Sequence, residues 1–560
     1  MLPTFDKSWT RHLPLLILLI LDGWLMFNFS IVQDYPIKPA GTAFWIALLL
    51  SLFISAYYLT ASPGFLFNRR SSDTSTRGNG IEGDTPSTHV LVKVLAGITF
   101  LASGFIWMLL MYRLDGFQLT TDTFAYARVA EQPLTTSAFW FSERPFTLPL
   151  LFKLFRIDTQ VLNDPAFLVS IRVKQFTQFQ ALSSLAAFIL LGMAATTHMR
   201  RQGLKALILT LTLAFAMAID IAQWNRMLIA DSITLSLLAL LLSAWLLSLH
   251  SLRTWDTTSP WLRRLIPLVL ILLTALFSFT RDTSAFFVLL MSGAILLYLL
   301  ITHRRHKASR ALLLIALISG AVSMLQITTW EQNDRWLFPL ANIVSRRVLT
   351  DREATAFFIE QGAPFETIPS DQLPVNCSGD CSDMHAFLRK DPFGQELLNW
   401  YRDQGLAAYL RLLLAKPLSF IKQPLADMQF LLSPDPSPYR LRVYPDPTWL
   451  RTARRLVLPQ SVVLSLLWAV AALIGALLLR QRGSHGHLLI PAGFLLLSFG
   501  LMFVIWHNDS IELARRAAQN SLQFKLSLWL LTAFVVDGIL ARQTIKLRRS
   551  THPMPGNQSK

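Results

Sequence analysis

The chain has 560 residues, of which 53% are hydrophobic and 15% charged, too apolar a composition to clothe a water-soluble core in polar surface. Its net charge of +17 would suit a nucleic-acid ligand, but the basic residues are clustered in short connectors between apolar runs, which argues against that partner. Two cysteines, Cys377 and Cys381, leave a local disulfide or free thiols open and offer too few ligands for a zinc site.

Taken in chain order, twelve apolar runs match a hydrocarbon core about 30 Å thick. They lie at 13–32, 41–60, 94–112, 179–197, 206–223, 231–249, 265–280, 283–302, 311–328, 461–479, 488–506 and 526–541. The spacing predicts an all-α polytopic membrane protein with about twelve transmembrane helices. Residues 1–68 read as a two-helix membrane hairpin, with Asp22 an intramembrane carboxyl. A Ser-, Thr- and Gly-rich linker occupies 69–89. The membrane core runs from 90 to 328, with a first large loop at 113–178 whose TDTFAYARVAEQ and FLVSIRVKQFTQFQ stretches suit interfacial amphipathic helices. A second loop domain, mainly helical and broken by prolines, fills 329–460; further membrane helices occupy 461–541, and a basic tail 542–560.

Arg69 with Arg70, Arg200 with Arg201 and Lys205, Arg263 with Arg264, Arg304 with Arg305 and Lys307, and Arg480 with Arg482 fall in alternate connectors. The positive-inside rule then sets both termini in the cytoplasm and the two large loops outside. That threading predicts a helical cap on the outer face and collects the ionisable candidates there: Asp115 and Asp122, Arg144, Asp231, Arg281 with Asp282, and the group His507, Asp509, Glu512, Arg515 and Arg516. Charges beside hydrocarbon are costly unless paired or functional. Each also has a plainer reading. Asp122 and Asp231 could cap helices, Arg281 could snorkel, and the last group could be a solvated helix face.

The runs RLDGFQLTTDTFAYARVA, ERPFTLPLLFKLF and VKQFTQFQALSSLAAFILL together resemble the opening of a GT-C glycosyltransferase. These are polytopic enzymes that use polyprenyl-phosphate-linked sugars, among them protein O-mannosyltransferases and the lipid A aminoarabinose transferase. WNRMLIADSITLSLLALLLS and HNDSIELARRAAQNSLQFKLSLWLL are similar to later segments of the bacterial members, and the resemblance covers about 94–541. It implies a GT-C-like bundle in a bacterial inner membrane. The implied activity is an inverting transfer of a sugar from a polyprenyl-phosphate donor to an acceptor hydroxyl of a protein, lipid or cell-wall glycan.

In that reading Asp122 is the general base. Arg281, Arg515 and Arg144 hold the donor phosphate, and Asp231, Glu512, Tyr126, Asp115 and His507 orient arginines or substrate. The superfamily's paired-acid motif is missing, since Asp122 has no acidic neighbour, so the resemblance brings no cofactor with it and leaves a divalent cation open. Arg516 stands where the bacterial members have His. A transporter, flippase, polymerase or ligase of lipid-linked saccharides is the alternative function, and membrane lipids are partners in either case.

Overall fold

The computed structural model describes residues 20–21, 24–25, 42–60, 86–111, 118–164, 168–302, 307–369, 372–376, 382–433, 458–481, 486–510 and 513–551. Among the described residues every regular element is helical, and one isolated parallel bridge, Gln118 with Met227, takes the place of strands.

Nine of these helices are long and apolar enough to cross a membrane: Ala43–Thr60, Ile171–Thr196, Ala230–Leu249, Pro260–Ser278, Asp282–Ile301, Ala308–Gln332, Val462–Arg480, Gly486–Asn508 and Leu513–Gln543. A tenth span is formed if the bent pair Gln202–Met217 and Asp220–Arg226, which meet at 53°, counts as one. The chain is therefore an all-α, multi-pass membrane protein. The faces these helices turn outward confirm their solvent. Val463, Leu464, Leu467, Val470, Ile474, Leu477 and Leu478 are all exposed along one helix, Val462–Gln481, a surface that water would penalise and lipid accepts.

Helix contacts in a bilayer rest on close fit and small residues rather than on hydrophobic expulsion. Helices Val462–Gln481 and Leu513–Thr551 show this. A Cβ added at Gly475 would stand 2.7 Å from Val535, and one at Gly538 would stand 2.8 Å from Leu479, so each glycine admits the neighbouring helix. Asp537, buried in the same helix, accepts from the backbone N–H groups of Arg200 and Arg201 at 2.9 and 2.8 Å. This ties the last long helix to the start of Gln202–Met217.

Three expected segments take another form. The stretch FLVSIRVKQFTQFQ does not lie apart in the first loop: from Leu168 it is the opening of one continuous helix, Leu168–Thr196. Its polar residues gave an interfacial look to what is the first turns of a span. The run expected at 526–541 is part of Leu513–Thr551, because buried Lys525 interrupts the apolar pattern without interrupting the helix. The run expected at 206–223 breaks at Ala218, whose backbone is extended, and the polar residues Gln223, Asn225 and Arg226 beyond it are buried.

Between the spans ending at Gln332 and beginning at Val462, short helices from Leu337–Ile343 to Leu406–Ala415 build a core of their own, while Met428–Leu432 packs into the bundle. Leu340, Val344, Phe358, Met384, Leu388, Leu397 and Tyr401 are buried in that separate core. The helices Leu337–Ile343 and Pro417–Ala426 rest against the membrane helix Leu489–Asn508. Asp22, Asp115, Glu512, Cys377, Cys381, most of the first apolar run and the linker up to residue 85 lie outside the described residues.

Candidate active site at one end of the bundle

Asp122 owes its position to a capped helix and a backbone clamp. Thr120 is the N-cap of Thr121–Glu131, and its hydroxyl accepts from Thr123 N–H while Thr123 Oγ1 accepts from Thr120 N–H, a reciprocal capping box. The cap role is thus filled by Thr120, and Asp122 is left in the first turn with both oxygens free for other partners. Just before the cap, Gln118 N–H donates to Arg226 carbonyl at 3.1 Å and Leu228 N–H donates to Gln118 carbonyl at 3.4 Å. That clamp ties the start of the Asp122 helix to the strand-like segment leading into Ala230–Arg253, which carries Asp231.

Arg281 sits in the tight turn between Pro260–Ser278 and Asp282–Thr302. Thr147 fastens the first loop to this turn, donating from its N–H to Phe279 carbonyl and from its hydroxyl to Leu276 carbonyl. Arg515 stands in the first turn of Leu513–Thr551.

The four elements meet in a continuous chain of ion pairs. Arg144 Nη2 lies 2.8 Å from Asp122 Oδ1, and Arg515 Nη1 lies 2.8 Å from Asp122 Oδ2. Arg515 Nε reaches Asp231 Oδ2 at 3.3 Å, and Arg281 Nη1 holds Asp231 Oδ1 while also donating to Gln519 Oε1 at 3.1 Å. The Asp231 side chain is 1% exposed, Arg515 6% and Arg281 10%, so neither a mere helix cap nor a snorkelling arginine describes them. Arg144 also stacks over the ring of buried Tyr126, its guanidinium carbon 5.6 Å from the centroid. Sequence reasoning named Asp122, Arg144, Asp231, Arg281 and Arg515 as one set, and the fold brings all five into contact.

Electrostatics follow from this geometry. Burial alone would push the Asp122 carboxyl up, but Arg515 and Arg144 together outweigh it and hold the group at about 2. Burial drives the neighbouring Tyr126 phenol up to about 12, so it stays protonated.

His507, Asp509 and Arg516 are found in adjoining polar contacts with the 337–432 segment. His507 Nδ1 and the Tyr409 hydroxyl are 2.9 Å apart. Arg516 pairs with buried Asp509 at 3.2 Å, and Asn342 Nδ2 donates to the same carboxylate at 3.3 Å. Asp509 is buried and His507 and Arg516 are half-buried with partners on neighbouring elements, so a solvated face does not describe them.

Two cations here were not singled out from the sequence. Arg347 stacks on Trp506, 3.5 Å from the ring centroid, and donates to the Trp506 carbonyl. Arg335 lies 3.0 Å from Asp282, which also accepts from Gln326 Nε2 at 3.0 Å. A sequence signal existed for Arg335: Asn333 and Asp334 follow an apolar helix at positions where a left-handed cap is common, and they turn the next residue back.

Phe277, Thr283, Ser284, Gln519, Asn520 and Gln523 line a small cavity beside Arg281, with room for about one water molecule. Among the described residues no three His, Cys, Asp or Glu side chains gather into a metal-binding group. The arrangement is suited to holding an anionic group between guanidinium donors beside an ionised carboxylate, in a setting with little water. No protein family, curated protein or solved structure matches the chain.

Proposed function

We propose that this protein is an inverting glycosyltransferase that moves a sugar from a polyprenyl-phosphate donor to an acceptor hydroxyl at the outer face of a bacterial inner membrane. In this reading the full set of spans is twelve, both termini are cytoplasmic, and the 329–460 segment is a cap over the outer face. The acceptor is a hydroxyl of a protein, lipid or cell-wall glycan. The observation that carries the reading is the Arg144–Asp122–Arg515–Asp231–Arg281 relay, buried at Asp231 and Arg515 and reaching the surface at Arg144, at one end of a lipid-facing bundle. It joins a carboxylate to a cationic clamp where a membrane-anchored phosphate can reach both.

The chemistry needs an acceptor oxygen to attack the anomeric carbon as the phosphate departs. Asp122 takes the acceptor proton, and a single displacement inverts the configuration. Held at about 2 by its arginines, Asp122 is a weak base in the free protein. A donor phosphate competes for those same guanidinium groups, and as they turn to it Asp122 gains proton affinity. Base strength would thus appear when the donor is in place. The arginines then stabilise the charge growing on the leaving phosphate. Asp231 keeps Arg281 and Arg515 aligned throughout.

A second reading, a flippase for lipid-linked saccharides, is favoured by one feature: the 53° break after Met217, with buried polar residues beyond it, is a form common in transporters. One experiment separates the two. Purified protein is incubated with a panel of polyprenyl-phosphate sugars and acceptors, and released carrier and product are read by mass spectrometry. Transfer by wild type and none by Asp122→Asn supports the transferase. No transfer, with movement of the donor across reconstituted vesicles, supports the flippase.

A further inference from the structure

The relay described above is close to self-neutralising, which raises the question of what is left to hold an anion. Arg281 and Arg515 both bind Asp231, and Arg515 and Arg144 both bind Asp122. Arg335 is in a different condition. Its side chain is 9% exposed, yet none of its three guanidinium nitrogens makes a hydrogen bond. Nη1 lies 3.0 Å from Asp282 Oδ1 without the alignment a hydrogen bond needs, and that oxygen already accepts from Gln326. Burial pulls the Arg335 guanidinium below its ordinary value, and its electrostatic neighbours are Asp282, Tyr126 and Arg144, which places it on the Arg144 side of the relay.

An arginine presents five donors, and leaving them all unmet out of water is costly. Its placement is also held against backbone preference. Helix Lys307–Gln332 ends in a turn in which Arg335 N–H donates to Trp330 carbonyl at 3.1 Å, with Asp334 before it in the left-handed region at φ 52°. Glycine is the usual residue there; an aspartate accepts the conformation at some strain. Among the described residues, Arg144, Arg281, Arg335 and Arg515 share Asp122, Asp231 and Asp282 as ion-pair partners, and of the four Arg335 is the one whose guanidinium nitrogens lack hydrogen bonds.

We infer that Arg335, beside Arg144, is the vacant half of an oxyanion subsite and takes the phosphate oxygens of the ligand. This rests on the proposed function only in the identity of the lipid carrier. The subsite itself follows from the unmet donors of a buried guanidinium beside Arg144. Arg335 then receives the phosphate before Arg144 and Arg515 turn from Asp122 towards it, while Arg281 keeps to Asp231. Arg335 is then a binding residue that the sequence pattern did not single out.

The full-length protein in detergent is titrated calorimetrically with farnesyl phosphate, inorganic phosphate and farnesol, for wild type, Arg335→Gln, Arg335→Lys and Arg335→Met. Farnesyl phosphate should bind wild type and weaken ~10- to 100-fold in Arg335→Gln, as expected for losing hydrogen bonds to a charged group. Arg335→Lys should fall between them, keeping the charge without the fork. Arg335→Met fills the space without a charge to desolvate, and it decides the matter if Arg335→Gln does not fold. Inorganic phosphate binding as tightly, with the same dependence on Arg335, supports the subsite and assigns it to free phosphate. Much weaker binding of inorganic phosphate assigns it to a lipid-linked one. Equal affinity of farnesyl phosphate for all variants overturns the inference, as does farnesol matching farnesyl phosphate on wild type. A protein that binds farnesyl phosphate through Arg335 but transfers no sugar defeats the transferase reading and leaves this one standing. Full donor efficiency in Arg335→Met does the reverse.

Discussion

Arg515 and Asp122 stand 393 positions apart in the chain and 2.8 Å apart in space. One face of the same guanidinium also reaches Asp231, so a single planar fork bridges two carboxylates that belong to different helices.

Removing that fork is expected to be severe. Arg515→Ala leaves buried Asp231 and half-buried Asp122 each without one of its arginines, and losing one member of a buried ionic set costs about 3–5 kcal/mol. Arg515→Lys should recover part of this, because one ammonium cannot hold both acids in the same geometry. Thermal unfolding in detergent checks the order wild type, Lys, Ala; an Ala variant as stable as wild type would contradict the bridging role.

Acid should act through Asp122. Its carboxyl titrates at about 2 in the folded protein against 3.8 for an ordinary aspartate, so the unfolded chain binds the proton more readily. The stabilisation it provides is complete above the unfolded value and fades as pH falls towards about 2. The stability gap between wild type and Asp122→Asn should therefore be constant at neutral pH and shrink below pH 3.8. A gap that instead closes near pH 6 would place the titration on another group.

The glycine contacts give a packing test. Gly475→Leu drives a branched side chain into Val535, already 2.7 Å from where a Cβ would sit. Overpacking of this kind costs about 1–3 kcal/mol, and the Gly493→Leu control, where a Cβ meets nothing within 4 Å, should cost far less. Unfolding midpoints of the two variants that fail to separate would show that the helices do not meet through Gly475.

Sidedness can be read with reporters. Fusions at Gly80 and Gly483 should report the cytoplasm, and one at Gly379 the opposite compartment. A cytoplasmic signal at Gly379 would put the 329–460 segment on the wrong side for an outer-face transferase.

The five relay residues were legible because ionisable groups flanking apolar runs have few tolerable fates, and pairing with each other is the commonest. Arg335 escaped notice because NDRWLFPL reads as an ordinary loop; the Asn333–Asp334 pair at the helix end was the one hint that a left-handed residue turns the arginine inward. The break after Met217 was hidden for a similar reason. No proline or glycine marks it, and the polar residues Asp220, Gln223, Asn225 and Arg226 give the only hint. Lys525 worked the other way, since a charge inside a run suggests a boundary where the helix continues.

The bridging guanidinium also imposes an order on biogenesis. Asp122 and Asp231 leave the ribosome long before residue 515, so each carboxylate has only its other partner, Arg144 or Arg281, until the helix that carries Arg515 arrives. The bridge between the two acids is therefore among the later contacts the growing chain can make. A nascent chain halted before that helix would hold two separate ion pairs, Arg144 with Asp122 and Arg281 with Asp231, in place of one continuous relay.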